Sequence, residues 1–477
     1  MSDGVLPRWR AFPALALGVV MATLDISVVN IALPTLSRTF GVPLTRIEWV
    51  VLGYVLTITG LLLTVGRIAD GVGRRRVYGM GLGVFCVASA LCGVAPAASA
   101  LIAARVLQGV GAAMMAANTG ALLVSSFPAE ERGRALGAFG AAVGVGLAIG
   151  TPLGGLVIAH ASWRWLFFIN LPLGAVAMWL LWTRVTPDRD PPRRVRLDLG
   201  AAAAWCAALV ALMLALARGP ESGWSSASVW PLYLVALAAL ALFAWFEHRA
   251  LEPLMPLRLL QGPLGLTVLL TMIGQALTIS VGFHLPLYLE EVAGFGAADS
   301  GKWLATLPVS ALFAAPIAGR LADRLGTRPV ATSGMALTIV GFVLLAGLGT
   351  IHEAARLFAG LALIGAGQGL FSVPNASALL SLVPPELLGF ASGLQGTMRN
   401  LGIAGGSAGT AALVASVYVR LAGHALRAGG AGTDRAAFAA ATREAFLALA
   451  LLATLGTALS WARRGSRGGA PEAGQPG

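Results

Sequence analysis

Charge is what this chain has least of. Only 11% of its 477 residues are Asp, Glu, Lys or Arg, and Lys302 is its one lysine. A soluble domain carries about 25%, so an ordinary water-facing surface is excluded. Cysteine is nearly missing too. Cys86, Cys92 and Cys206 each fall in an apolar run without ligand spacing, which implies neither a disulfide framework nor a metal site. An intact phosphate loop is also lacking: GAADSGKW (Gly296 to Trp303) puts Trp303 where Ser or Thr is required. GGSAG (Gly405 to Gly409) fits a nucleophile pattern, but Ser407 lies in a Gly/Ala-rich helical run and not at a strand-to-helix turn. The chain is therefore expected to be no enzyme and to use no cofactor or metal. Its net charge of +12 sits in short loops at the ends of apolar runs, which argues against a nucleic-acid partner.

What is present is hydrophobic length. Apolar residues make up 57% of the chain, and a hydrocarbon core of roughly 30 Å needs about 20 of them per helix. Fourteen such windows run from about 12–35 to about 443–462, without the alternation of barrel strands. The first continues past Asp25 to Pro34 with no small-residue cleavage site, so it reads as a retained span. An even number of spans puts both termini on one side. With that side cytoplasmic, it holds the larger share of the arginines, as the positive-inside rule requires. The expected location is the inner (plasma) membrane of the cell, multi-pass, with both termini cytoplasmic.

The chain also repeats itself. GRIADGVGRRR at Gly66 returns as GRLADRLGTRP at Gly319, and ANTGALL at Ala117 returns as PNASALL at Pro374. Pro128, Glu130, Gly133, Gly137 and Gly140 reappear as Pro384, Glu386, Gly389, Gly393 and Gly396. This predicts an all-α membrane protein of two pseudo-symmetric six-helix bundles, residues 1–183 and 264–464. A Pro- and charge-rich linker and two inserted spans fill 184–263, and a disordered tail follows at 465–477. Repeated membrane halves are a mark of secondary transporters, with the site at their interface near the midplane.

Four motifs stand in order: LDISVVNIALP (Leu24 to Pro34), GRIADGVGRRR, RVLQGVGAA (Arg105 to Ala113) and SWRWLFFINLPLG (Ser162 to Gly174). Together they resemble the major facilitator superfamily, and more narrowly its fourteen-helix drug:proton antiporter branch, over about Ala11 to Trp461. The resemblance implies the major facilitator fold and assigns the motifs to the first span, the loop 2–3 gate, the helix-4 proton-transfer element and the sixth span. One motif departs. The branch carries Gly-Pro-x-x-Gly-Gly in its fifth helix, and here the run is GTPLGG, with Thr151 in the proline's place and Pro152 one residue late. One residue is about 100° around a helix. The antiporter-motif residues are thus Gly146, Gly150, Thr151, Pro152, Gly154 and Gly155. Gly133, Gly137, Gly140, Gly144, Ala148, Thr151 and Gly155 share one face, which permits close packing.

Asp25 is the conspicuous residue, because the repeated spans hold no other acid away from their predicted ends. A charged group at the bilayer centre costs about 2.5–3.5 kcal/mol on insertion scales, so membrane acids usually mark ion paths. Arg105 is its expected partner, on a helix face small enough for the first span to approach. Two readings are open, a static pair and a carboxylate that takes and releases protons, and the second is preferred. By the resemblance, Asp70 with Gly73 and Arg74 would form a gate at the start of the thirteenth helix near Gly389, where the dipole favours negative charge. Asp323 and Arg324 would do the same at the fifth helix near Arg134. The alternative for the arginine run is a topology signal with lipid contact.

Candidates to line a central cavity are Asn30, Trp49, Tyr54, Gln108, Asn118, Gln275, Phe283, His284, Gln368, Phe371, Asn375, Gln395 and Arg399. For each polar member a packing role stays open. His284 also reads as a buried neutral ring, and Arg399 as either a pathway charge or a local pair. These readings converge on a proton-coupled antiporter exporting lipophilic neutral or monocationic small molecules, drugs or antibiotics. Its partners would be substrate, protons and membrane lipids, and a monomer is expected. A dedicated exporter of one metabolite or self-made antibiotic is the alternative. A proton-coupled importer is less favoured, since the first span has no Glu-x-x-Glu-Arg run.

Overall fold

Hydrocarbon offers backbone groups no partners, so a chain this apolar must satisfy them within its own helices. The computed structural model describes residues 8–128, 131–186, 198–250, 253–255, 257–295, 297–348, 353–424 and 434–463. The first half holds α1 (Phe12–Phe40), α2 (Trp49–Val72), α3 (Arg74–Gly93), α4 (Ala98–Ser126), α5 (Arg132–His160) and α6 (Asn170–Arg184). A short turn, Trp165–Phe168, leads into α6. Then come α7 (Leu199–Ser222) and α8 (Trp230–Arg249). The second half holds α9 (Pro263–Glu291), α10 (Ala297–Leu325), α11 (Thr327–Ala346), α12 (Ala354–Ser381), α13 (Leu388–Ala422) and α14 (Arg435–Ala462). Among the described residues, 13 helices are long and apolar enough to cross a membrane, and α5, at 29 residues, completes the fourteen. The protein is an all-α, multi-pass membrane protein.

The two halves pack by the same scheme. In the first, α1 lies on α5 and α6, α4 on α2 and α3, and α3 on α6. In the second, α9 lies on α13 and α14, α12 on α10 and α11, and α11 on α14. The lobes meet through α2 against α13 and α5 against α10. Glycine makes these crossings possible. A Cβ on Gly133 would stand 2.6 Å from the carbonyl of Gly319, and one on Gly389 would stand 2.5 Å from that of Gly66. Such backbone approach is how membrane helices associate without a hydrophobic drive between them.

Three expectations need correction. The motif carrying Asp70 and Arg74 is not a loop. Asp70 lies in the last turn of α2 and Arg74 begins α3, with Gly73 alone between them at φ 113. Gly326 joins α10 to α11 in the same way at φ 87, a region L side chains avoid. Second, α14 begins at Arg435, so Glu444 falls inside that span and not at its end; it is exposed and paired with Arg420 at 2.6 Å. Third, the small-residue stripe of α5 is not one continuous contact. Gly133, Gly137, Gly140 and Gly144 face α10, but a Cβ on Gly155 would meet nothing within 4 Å. Gly146, Gly150 and Gly154 instead face Thr23, Ser27 and Val28 of α1. Most of the linker, the tail at 465–477 and the side chains of Ala148 and Thr151 lie outside the described residues.

The inserted pair lies at the side of this frame. α7 packs beside the seam of α2 and α13, and α8 packs on α7. Asp198 caps α7 by accepting from the backbone N–H groups of Gly200 and Ala201, a favourable N-terminal arrangement. The Cys206 thiol donates to the carbonyl of Gly60 on α2 at 2.9 Å.

Candidate functional site

The site forms where four helices converge on one carboxylate. Asp25 of α1 is fully buried. Its Oδ2 accepts from Nη1 of Arg105 at 2.5 Å, and its Oδ1 accepts from Nε2 of Gln108 and Nδ2 of Asn170, both at 3.0 Å. Gln108 also donates to the Ser89 hydroxyl of α3 at 2.8 Å. Arg105, equally buried, donates through Nε to the carbonyl of Val50 at 3.0 Å and lies 4.1 Å over the Tyr54 ring. Its Nη2 has no hydrogen-bond partner among the described residues.

Local sequence explains this convergence. Arg105 and Gln108 stand three residues apart, one turn along α4, and so share a face. Gly109 and Gly111 let that face approach its neighbours: a Cβ on Gly109 would stand 2.9 Å from the Tyr54 carbonyl, and one on Gly111 2.6 Å from the Phe85 nitrogen. The carboxylate thus ties α1, α4 and α6 together through charge-assisted bonds, the stronger class, and α3 joins through the Ser89 hydroxyl, which accepts from Gln108 and Asn170. Asn170 and Ser89 were not singled out from sequence. Asn170 had a signal, a polar residue inside the quoted SWRWLFFINLPLG run; Ser89 had none.

Two further carboxylates bridge the lobes. Asp70 accepts from the N–H groups of Gly389 (2.8 Å) and Phe390 (2.9 Å) at the start of α13. Arg74 pairs with Asp70 at 2.8 Å and also donates to the carbonyl of Pro385. Asp323 accepts from the N–H groups of Gly133 (3.0 Å) and Arg134 (3.1 Å) at the start of α5. Arg324 is exposed and does not bond Asp323. In the repeat, Arg74 corresponds to Thr327, so the second bridge lacks its arginine. Among the described residues the other inter-lobe hydrogen bond joins Asn400 to Thr59 at 2.9 Å. The arginine-bearing end is therefore sealed. Toward the other end the lobes part: Gly155 of α5 and Ile403 of α13 continue the sealing faces, yet both are exposed.

The cavity candidates divide. Asn30, Phe283 and Arg399 are exposed, while Trp49, Gln275, Gln368 and Gln395 are partly so. Tyr54 and Gln108 are buried members of the Asp25 cluster and do not line open space. Asn118 is buried and donates to the carbonyl of Met114 on its own helix. Phe371 is buried against Gly274. His284 is buried, bonded to Thr442 at 3.0 Å and flanked by Phe438 and Phe446. Asn375 bridges Thr271 of α9 at 2.9 Å and Arg463 at 3.1 Å. The polar members were expected at the cavity because they interrupt apolar spans, and Phe371 as an aromatic contact. Gln108, His284 and Asn375 find their partners within a lobe instead, as buried polar groups generally do, while Tyr54 Oη and Asn118 Oδ1 have none among the described residues.

With this geometry in view, likeness to known proteins can be placed. The family model described as Major Facilitator Superfamily matches residues 15–407. The chain is 36% identical over 410 residues to the methylenomycin A resistance protein of Streptomyces coelicolor, covering 83% of this chain and 84% of that one. It is 33% identical to the multidrug resistance protein Stp of Mycobacterium tuberculosis, covering 82% and 72%. The crystal structure of the human organic anion transporter MFSD10 superposes with a TM-score of 0.64 at 17% identity, covering 94% and 99%, which speaks to the fold alone.

Proposed function

The chain belongs to the Major Facilitator Superfamily, in its fourteen-helix drug-efflux branch, and we propose that it exports lipophilic small molecules from the cell in exchange for protons. It is a transporter and not an enzyme. The observation that carries the coupling is the buried contact of Asp25 with Arg105, Gln108 and Asn170. Replacing a buried ion pair by packed apolar residues is often neutral or stabilising, so such a pair is weakly accounted for by stability. A protonated Asp25 would leave Arg105 without its counter-charge and slacken the hold of α1 on α4 and α6. That links the proton to the lobes' movement. In the proposed cycle, the charged carboxylate accompanies substrate loading from the cytoplasm, and its protonation after the outer side opens accompanies release. The arginine-bearing end is then the cytoplasmic one, with both termini on that side of the plasma membrane.

The expectation of neutral or monocationic substrates rested on Asp25 being the one membrane acid, against two or three for dications. Its two oxygens are taken by three donors, so it offers little to a cation in this state, and the substrate's charge must be argued from other groups. Export of one self-made antibiotic is a second reading, favoured by the resistance protein among the relatives. The test is acidification of inside-out vesicles followed by candidate compounds. The expected result is collapse of the pH gradient on adding one compound class, only where the protein is present. A gradient indifferent to every compound that the protein demonstrably moves would sink proton coupling.

A further inference from the structure

We propose that Arg399 anchors the anionic group of the substrate, so that the molecules carried are amphipathic organic monoanions such as aryl carboxylates. This deepens the exporter reading and rests on it.

Arg399 lies eleven residues into α13, roughly 17 Å along the helix and so near the middle of a roughly 30 Å core. Its neighbours fix the direction it faces. Gly393, Gly396 and Asn400 touch α2, while Gly402 and Gly406 touch α9. At about 100° per residue, Arg399 falls on the arc between those two sets. Ser392, two turns earlier on nearly the same line, stands against Gly120 of α4. That line therefore looks across the molecule toward the other lobe. This line is packed against the other lobe at Ser392 and exposed at Arg399 and Ile403, which puts Arg399 on the wall of the space where the lobes part.

Nothing among the described residues answers its charge. Among the described residues Arg399 has no ion pair or hydrogen bond. The contrast is Arg105 in the other lobe, whose charge is cancelled by Asp25 at 2.5 Å. An intramembrane cation without a partner is costly and by default marks a pathway. Its planar fork suits a carboxylate held by two parallel bonds. Gln395 stands one turn before Arg399 along α13, and Gln275 of α9 packs beside Gly402 just after it. Ile403, 36% exposed, offers apolar surface on the same arc. A lipid headgroup does not reach this depth, and a cation would meet repulsion. Outward movement of an anion is also favoured by an inside-negative membrane potential.

The test uses purified full-length protein in nanodiscs with 1-naphthaleneacetate and its neutral amide as probes. Wild type should bind the acid at least ten-fold more tightly than the amide. Arg399→Gln should remove that preference, and Arg399→Lys should keep part of it. Equal affinity of wild type for acid and amide, no measurable binding of the acid, or a preference that survives Arg399→Gln would overturn the proposal. A second measurement does not depend on ligand choice. In a background lacking the three native cysteines, the thiol introduced by Gln395→Cys should react faster with an anionic than with a cationic thiosulfonate reagent. Adding Arg399→Gln should lower that ratio about ten-fold. An unreactive thiol, or an unchanged ratio, would remove Arg399 from the cavity wall. Neither readout requires transport, so a failure of proton-coupled export would appear in the vesicle assay and not here.

Discussion

At the scale of single residues, the account turns on a fully buried carboxylate held by three donors. Breaking a buried pair from one side leaves an uncompensated charge, at a cost of about 3–5 kcal/mol. Arg105→Met should therefore lower thermal stability in detergent by about that amount, and Asp25→Asn combined with Arg105→Gln should recover most of it. An equal loss in the single and double variants would mean that packing, not charge, holds the cluster. The meeting of Asp25 with Arg105 was legible in the sequence, because the repeated spans hold no other acid away from their predicted ends and Arg105 stands on a helix face small enough for the first span to approach. The contributions of Asn170 and Ser89 were not, since their donors converge only through helix crossings that no local spacing encodes. Tyr54 and Phe371 lie buried away from open space for a related reason, and the buried reading of His284 holds. Polarity or aromaticity inside a span marks a contact but does not say whether a neighbouring helix or open space makes it.

At the scale of helices, the lobes are latched by carboxylates at helix N-termini. A negative charge there is worth about 1 kcal/mol and up to ~2 in partly buried geometry, a shift of roughly five- to thirty-fold in a two-state balance. Asp70→Asn should weaken the sealed form by about that factor. Spin labels at the exposed Val72 and Leu325, across the two lobes at the arginine end, would report it as a larger long-distance population. Asp323→Asn should have the smaller effect, because Thr327 stands where Arg74 supports Asp70. A larger shift for Asp323→Asn would contradict this ranking. The repeat of the GRxAD motif made both carboxylates readable, and the family resemblance implied their target helices. Their position inside helices was not, because hydropathy falls where charges begin whereas the hydrogen-bonded helix runs on to the next glycine.

At the scale of the whole molecule, one packing scheme used twice explains why the internal repeat was visible: the same glycines recur where the same helices cross. The position of α7 beside the α2–α13 seam left no such trace, since Cys206 against Gly60 repeats nothing elsewhere. In the proposed cycle the lobes rock about these seams and a proton carried by Asp25 drives the export. Proton influx into liposomes holding the wild type or Asp25→Asn, driven by the compound that collapses the vesicle gradient, measures this directly. Substrate-dependent influx should fall at least ten-fold in the variant while substrate binding is retained. Influx at the wild-type rate with asparagine in place would show that the proton travels by another route.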